Sequence, residues 1–583
     1  MKSETIKKNL SSFQVKPNLL DYNEVNKSFS SNISNSEVEF KHGRLNAAYN
    51  AIERNAHNWR KNKIALYWIG EDFSKKQYTF REIDDLANQF ANLLHTFHID
   101  IGDRVFFFLT RIPELYFGFL GTLKRGAIAG TMFAAFGPEA IKDRLENSQT
   151  KILITEPSLF DRVAKAAKEL PDLHTVLVTG DPKEVAKLKI PGKKVVSFES
   201  ILLDQLKTYG TRFFDPNDPA FMLYTSGTTG KPKGVVHAHR AIIHEHISAK
   251  YVLDLKEDDV YWCTADPGWV TGIAYEILGS WSNGASTVVY NGRFEPELWY
   301  KIIADYKITV WYTAPTAIRM LQAAGDAVVK KYDLSSLRHL ASVGEPLNPE
   351  PIRWGYKVFG LVFHDTWWQT ETGGIMIANY PSMDVKIGSM GKPLPGISAS
   401  IVDDKGNEVG IGKEGNLAIK APWPSMMKTI WRRPIKYKTY FVKGWYISGD
   451  HAYKDKDGYF WFIGRADDVI KTSGERVGPF EVESALIEHP SVIEAGVIGK
   501  PDPMRGEIIK AFVKLKEGVK PTEKLKEEIQ TFIKKHLAFH AYPREIEFID
   551  KLPKTRSGKI MRRYLKAKEL GLPLGDTSTL EEY

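Results

Sequence analysis

Tyr224-Thr225-Ser226-Gly227-Thr228-Thr229-Gly230-Lys231-Pro232-Lys233-Gly234 stands between the apolar run Ala220 to Leu223 and the pair Val235-Val236. The pattern predicts a strand, a loop that embraces phosphate, and a second strand. Glycines let backbone N–H groups close on a phosphate without Cβ clashes. Hydroxyl and ammonium groups add donors and positive charge. The spacing is not that of a Walker A loop, which needs four residues between its glycines and Lys-Ser/Thr after the second. Here two residues separate Gly227 from Gly230, and Pro232 follows Lys231. A mobile loop that grips the phosphates of ATP fits this pattern. A Gly/Ser/Thr surface turn is the plainer alternative.

Around this loop, short β-rich runs alternate with helical stretches: Val105 to Leu109, Lys151 to Thr155, Thr175 to Val178. Such alternation predicts βαβ units and a mostly parallel sheet. In the central region three strands each run into an unusual loop. Thr309-Val310-Trp311-Tyr312 leads to Ala314-Pro315-Thr316, His339 to Val343 leads to Gly344-Glu345-Pro346, and Leu361 to His364 leads to Asp365 to Gly373. Ligands of α/β sheets sit beyond the carboxyl ends of strands, so these loops are expected to converge on one crevice. Leu45, Ala48, Ile52 and Trp59 predict an amphipathic helix. Residues 1–40 are polar and rich in Ser and Asn, and read as a loosely attached lead-in. Past Gly464 to Asp468 the pattern changes to a small α+β unit. It has a helix from Pro479, strands near Ala495 to Ile498 and Ile508 to Leu515, and a helix from about Thr522 to His536. The expected division is a 1–40 extension, a large 41–466 α/β domain and a mobile 467–583 α+β domain.

Among 583 residues, 80 are Lys or Arg and 71 are Asp or Glu, spread along the chain. The balance of +9 suits anionic small ligands and is too dispersed for nucleic acid. One stretch, 551–568, holds eight basic residues and no acid, which reads as a solvated basic helix apart from Lys559. The single cysteine, Cys263, excludes an internal disulfide and suits a reducing cytosol. Beside Trp262 it reads as packing rather than as a nucleophile. No apolar run is long enough for a bilayer, and Met1-Lys2-Ser3-Glu4 lacks a secretion pattern. The expectation is a cytoplasmic protein without a membrane or nucleic-acid partner.

Several side chains have chemistry to offer. Glu371, among hydroxyls and tryptophans, either holds Mg²⁺, a hard cation that takes carboxylate and phosphate oxygen, or is a solvated loop acid. Thr370 is placed to donate to a phosphate. Trp367 and Trp368 either fill core or floor a pocket. Asp450, in Ser448-Gly449-Asp450, either accepts two ribose hydroxyls or makes a turn. Arg465 reaches ribose or phosphate, or is a surface arginine. Thr472 to Arg476 forms a glycine-containing loop able to admit a thin substrate arm. Lys559 follows Gly558, where a lysine on a flexible turn brings positive charge to charge developing at phosphorus.

Together, Ala265 to Gly272, Ser342 to Pro349, Asp365 to Gly373 and Pro553 to Lys559 resemble the motifs of the adenylate-forming superfamily: acyl-CoA synthetases, luciferases and peptide-synthetase adenylation domains. The resemblance covers about residues 45 to 570. Within the superfamily it is nearest to the acetyl-CoA synthetases (acetate–CoA ligases) of a shorter bacterial kind. It implies the adenylate-forming fold and a ligase working in two steps. Acetate would attack the α-phosphorus of Mg·ATP to give acetyl-adenylate and pyrophosphate, and CoA would then release acetyl-CoA and AMP. It further implies site roles. Thr225, Ser226, Gly227, Thr228, Thr229, Gly230, Lys231 and Lys233 would hold β- and γ-phosphates. Gly344, Glu345 and Pro346 would line adenine, and Asp365 would face its amino group. Thr366, Trp367, Trp368 and Gln369 continue that wall. Thr370 would contact the α-phosphate, Glu371 Mg²⁺, Asp450 ribose, Arg465 the nucleotide, and Arg476 phosphate in the second step.

Lys559 would act in adenylation only, and Ser473 and Gly474 would border the pantetheine tunnel in the second step. Asp467 matches a hinge, since one site cannot present Lys559 and a CoA tunnel at once. Val270, Thr271, Val343 and Trp368 would line the acyl pocket, with Trp368 closing it beyond two or three carbons. Thr271, Ser473, Gly474 and Lys534 are the candidate CoA contacts. Relatives carry regulatory acetylation at the lysine matching Lys559, which implies an acetyltransferase and deacetylase as partners. The chain departs from the family at Pro267, at Glu475 where histidine is common, and in lacking an arginine-rich loop for the CoA nucleotide. A ligase for propionate or medium-chain acids, and a silent nucleotide-binding scaffold, are the competing readings. Trp368 argues against a medium-chain acid, and Lys559, Glu371 and the intact phosphate loop argue against the scaffold.

Overall fold

The apolar β-rich runs pair with partners far away in sequence to build two large sheets. The computed structural model describes residues 4–30, 35–227, 230–472, 475–537, 541–555, 559–574, 577 and 580. Among the described residues the first sheet has eight strands. Pro219–Gly227, Ile128–Met132, Arg104–Phe108, Ile152–Thr155, Thr175–Val178 and Lys194–Ser197 lie parallel. Towards one edge lies the antiparallel hairpin of Pro219–Gly227 with Gly230–Ala238, where Thr225 faces Lys233, and Thr429–Ile430 pairs outside it. The second sheet has nine strands. Phe363–Trp367, His339–Ser342, Val310–Thr313, Val260–Cys263, Ser286–Asn291 and Ile64–Gly70 lie parallel within it.

The two sheets share a core. Phe107, Ile154 and Phe221 from the first join Leu66 and Val289 from the second. Helices Phe80–Thr96 and Pro113–Arg125 add Phe90 and Leu120 to it. The first of these helices shows why the sequence folds so. Thr79 and Glu82 form a capping box, and Phe80, Ile83, Ala87, Phe90 and Leu94 make one buried stripe at helical spacing. Burying each large side chain contributes about 1.5–3 kcal/mol.

A third sheet is antiparallel and was not anticipated from the strand–helix alternation. Gly415–Lys420 lies between Ala399–Val402 and Trp445–Lys454, and Phe460–Arg465 pairs with the latter. Beyond it, Ile470–Thr472, Glu475–Val477, Val492–Asp502, Gly506–Leu515 and Glu545–Phe548 form a separate five-stranded sheet. Helices Pro479–Ile487 and Glu523–His536 pack Leu486, Ile529 and Ile533 with its Val497 and Val513. This is the expected α+β unit, and Thr522 caps its long helix by accepting from Leu525 N.

Three expectations are corrected. The lead-in is docked rather than loose. Thr5–Ile6 pairs with Val385–Lys386, Leu19 is fully buried, and the Tyr22 hydroxyl donates to Pro393 O at 2.8 Å. The helix after Leu45 is short and widened at Tyr49–Glu53, and Trp59 lies outside it, 66% exposed. The basic stretch 551–568 is not simply solvated. Lys554 pairs with Glu494, Lys566 with Glu507, and Arg562 forks onto Glu483 at 2.8 and 2.5 Å. Cys263 is buried as expected, and burial pushes its thiol up to about 12.

Candidate active site

Val310–Thr313, His339–Ser342 and Phe363–Trp367 are parallel neighbours, so their carboxyl ends open at one edge of the sheet. Gly344 turns the chain there with φ +95°, a backbone that favours glycine. The next residue, Glu345, is held from below by Arg319 Nη2 at 2.9 Å and Thr316 Oγ1 at 2.8 Å. Pro346 follows, half-buried. Asp365 is buried and accepts from Thr366 N at 3.0 Å; burial pushes its carboxyl up to about 7. Thr366 Oγ1 donates to Ser342 O at 2.7 Å, tying two of the strand ends together.

Register explains the next pair. In the antiparallel sheet Asp450 lies directly opposite Arg465. Their side chains meet at 3.0 Å, and Trp367 Nε1 and Gln369 Nε2 also donate to Asp450, at 2.9 and 3.1 Å. Burial pushes the Asp450 carboxyl above its ordinary value, with Arg465 pulling it back. The two residues were singled out separately in the sequence, and pairing them needed this register.

The side around Trp368 is aromatic and buried. Trp368 sits edge-on to Tyr275, with ring centres 5.1 Å apart at 85°, and its Nε1 donates to Tyr312 Oη at 3.2 Å. Tyr275 and Tyr312 are fully buried; Val270, Thr271 and Val343 are nearly so. Sequence reasoning missed both tyrosines. Tyr312 stands in the strand Val310–Thr313, where it read only as part of a strand leading into a loop.

The hairpin side carries charge. The hairpin brings Thr225 and Lys233 together, and Thr225 Oγ1 is buried with no partner among the described residues. Lys233 Nζ donates to Tyr440 Oη at 2.7 Å, and Tyr440 Oη donates to Glu371 Oε1 at 3.3 Å. His237, on the same hairpin, bonds the Thr370 carbonyl through Nε2 at 2.8 Å. Burial pushes that imidazole down to about 4, so it stays neutral there. Tyr440 and His237 were also missed, because a lone Tyr and a lone His carry no spacing signal.

Lys559 comes to this crevice from the carboxyl-terminal unit. Its side chain meets solvent, yet it is crowded by protein, which pushes its ammonium below its ordinary value. Glu345, Asp450 and Glu371 act on it in the opposite sense, and Arg465 adds to the lowering. Asp467 lies in an exposed turn after Arg465, 3.8 Å from its guanidinium. Next to the crevice, Asn348 Nδ2 donates to Ser484 Oγ at 2.8 Å, and Arg353 joins Glu488 at 3.3 Å and Glu4 at 2.8 Å.

Some candidates are not brought in. Lys534 rests over the Tyr542 ring at 4.1 Å, and no hydrogen bond or ion pair among the described residues joins it to the crevice. Thr228, Thr229, Ser473 and Gly474 lie outside the described residues, as do the side chains of Ser226, Gly227, Gly230, Lys231 and Arg476.

Among the described residues no three His, Cys, Asp or Glu side chains gather as a metal cage. A lone Glu371 beside Tyr440 and Lys233 still fits Mg²⁺, which takes one or two carboxylates and fills its shell with other oxygen ligands and water. No helix among the described residues is long and apolar enough to cross a membrane.

The family model described as AMP-binding enzyme matches residues 52–431, and that for the AMP-binding enzyme C-terminal domain matches 481–559. The chain is 57% identical over 542 residues to the acetyl-coenzyme A synthetase of Bacillus subtilis, across 93% of each chain. It is 43% identical over 578 residues to that of Pyrobaculum arsenaticum, across 93% of this chain and 86% of the relative. Among solved structures it is similar to the anthranilate CoA ligase AuaEII in complex with anthranoyl-AMP. There the TM-score is 0.83 at 32% identity, over 91% of this chain and 98% of that one. A Brucella canis acyl-CoA synthetase aligns with a TM-score of 0.74 at 35% identity, over 94% and 99%.

Proposed function

The chain belongs to the AMP-binding enzymes, among their acetyl-coenzyme A synthetases, and on that premise we propose how its residues join acetate to CoA through acetyl-adenylate. It has the adenylate-forming fold and is an AMP-forming acid–thiol ligase. The domains divide as 41–466 and 467–583, with 1–40 as the extension before them.

In the first step an acetate oxygen forms a bond to the α-phosphorus of ATP, the bond to the β-phosphate oxygen breaks, and pyrophosphate leaves. Trp368, Val270, Thr271 and Val343 wall the methyl group. Thr225, Lys233 and the rest of the hairpin loop grip the β- and γ-phosphates. Gly344, Glu345, Pro346 and Asp365 bound the adenine, and Asp450 takes the ribose hydroxyls. Arg465 and Thr370 face the α-phosphate. Glu371 would hold Mg²⁺, which when bound would neutralise phosphate charge. Lys559 brings its ammonium to the charge that builds on the transferring oxygens.

In the second step the CoA sulfur bonds to the acyl carbon, the carbon–oxygen bond to AMP breaks, and the thiol proton passes to water. Lys559 has no part in it. Rotation about Asp467 withdraws Lys559 and brings Ser473, Gly474 and Arg476 to the crevice. Lys534 is the candidate for the CoA nucleotide. A cytoplasmic setting suits the one buried cysteine, and Lys559, open to solvent, suits an acetyltransferase and a deacetylase.

The observation that carries the reading is Lys559 set among Glu345, Asp450 and Glu371, the groups assigned to the nucleotide and its metal. The test is ATP–pyrophosphate exchange over a panel of carboxylic acids. Acetate should drive it, with propionate behind and octanoate inert. No exchange with acetate and magnesium refutes the reading.

A further inference from the structure

Lys233 and Glu371 are opposite charges in one crevice, yet a phenol stands between them. A direct ion pair would turn the ammonium and the carboxylate towards each other and away from a ligand. The Tyr440 hydroxyl instead accepts from Lys233 at 2.7 Å and donates to Glu371 at 3.3 Å. An ammonium only donates and an ionised carboxylate only accepts, so the group between them must do both. A hydroxyl does; a phenyl ring in its place does neither.

The phenol is itself held in position. Tyr440 follows the helix Pro434–Lys438, its N donates to Tyr437 O at 3.2 Å, and its carbonyl accepts from Ile447 N at 2.8 Å. Its ring lies parallel to Tyr446, 5.8 Å away at 10°, and Tyr446 is almost wholly buried. The Tyr446 hydroxyl in turn donates to Gln369 Oε1 at 2.7 Å, two residues before Glu371. An ordinary phenol keeps its proton at neutral pH, so the hydroxyl has one to donate.

We propose that Tyr440 is a positioning residue whose hydroxyl holds the Lys233 ammonium and the Glu371 carboxylate apart and aimed, so that the two grip metal-bound pyrophosphate groups as one unit. The ammonium uses one of its three donors on the phenol and keeps the others for phosphate oxygen. The carboxylate keeps acceptor capacity for a divalent cation. This rests on the assignment of Lys233 to phosphate and Glu371 to Mg²⁺ under the proposed function.

The experiment is calorimetric binding of Mg·ATP, and of ATP in EDTA, to the full chain and to Y440F, E371Q and the double variant. Y440F should weaken Mg·ATP binding about tenfold, the scale of a hydrogen bond to a charged group, and weaken metal-free ATP by less than about threefold. In the double variant the second substitution should add less than about twofold, because both act on one unit. The melting temperature of Y440F should stay near that of the parent, since the ring and its stacking remain.

Y440F binding Mg·ATP as tightly as the parent overturns the proposal while leaving the function intact, provided E371Q weakens it. Equal weakening of both ATP forms, or fully multiplicative effects in the double variant, overturns it too. If E371Q leaves Mg·ATP affinity unchanged, the metal assignment of Glu371 falls and takes this proposal with it.

Discussion

Trp368 and Tyr440 are both aromatic side chains fixed by a second ring, yet they stand on two sides of the crevice that work by different physics. Around Trp368 the groups are neutral. Tyr275 and Tyr312 are fully buried, and burial pushes both phenols far above their ordinary value. Nothing in that wall changes charge near neutral pH, so it discriminates by volume. Around Tyr440 stand the half-buried Lys233, Glu371 and Arg465, and with them the exposed Lys559 and the buried Asp450 make a mixed set of charges. That side answers to charge, salt and pH. On the proposed function, one crevice would sort acids by shape and handle phosphate by electrostatics.

The sharpest way to break this contrast is Lys559→Ala. Acetate-dependent pyrophosphate exchange should fall about a thousandfold, the upper scale for losing one preorganised charge donor. Thioester formation from supplied acetyl-adenylate should stay within about threefold. Equal loss in both half-reactions removes Lys559 from the adenylating side.

Trp368→Gly probes the shape side. The ratio of kcat/KM for hexanoate to that for acetate should rise at least about a hundredfold, because room for even one or two methylenes is worth that much at roughly 1–3 kcal/mol each. An unchanged ratio over the acid panel would mean that the indole is not the wall.

Asp365 separates charge from shape by pH. Burial raises its carboxyl from 3.8 to about 7. Between those values the folded chain holds a proton that the unfolded chain has released. Its contribution to stability is therefore full below about 4, falls as pH rises, and levels off above about 7. From pH 6 to 7 the loss is about 1 kcal/mol. Asp365→Asn, which cannot ionise, should flatten that part of the denaturation profile. A parallel profile would place the titration elsewhere.

The smallest effect is expected at Tyr312→Phe, which removes the hydrogen bonds to Trp368 and Thr366 and leaves the packing. KM for acetate should rise about threefold, by the worth of a neutral hydrogen bond, with the same factor at low and high salt. A strong salt dependence would blur the line between the two sides.

What the sequence made legible follows from distance along the chain. Ile152–Thr155 and Thr175–Val178 read as strands because their composition is local, and the hairpin of Pro219–Gly227 with Gly230–Ala238 because its glycines and lysines fall in one short stretch. Asp450 and Arg465 were each visible, but their pairing depends on the register of two antiparallel strands. Tyr440 and His237 gave no signal, since each acts only through what folding sets against it. The lead-in misled because Leu19 and Tyr22 are two apolar anchors in a polar stretch. The basic run 551–568 misled for the opposite reason. Its acidic partners Glu483, Glu494 and Glu507 lie about sixty to eighty positions upstream.

Arg353 receives Glu4 on one side and Glu488 on the other, so the amino-terminal strand and the small carboxyl-terminal unit share a single guanidinium. A reporter dye near Glu4 would therefore feel any departure of that unit from far outside the crevice, and turnover could be followed without touching a residue that handles substrate.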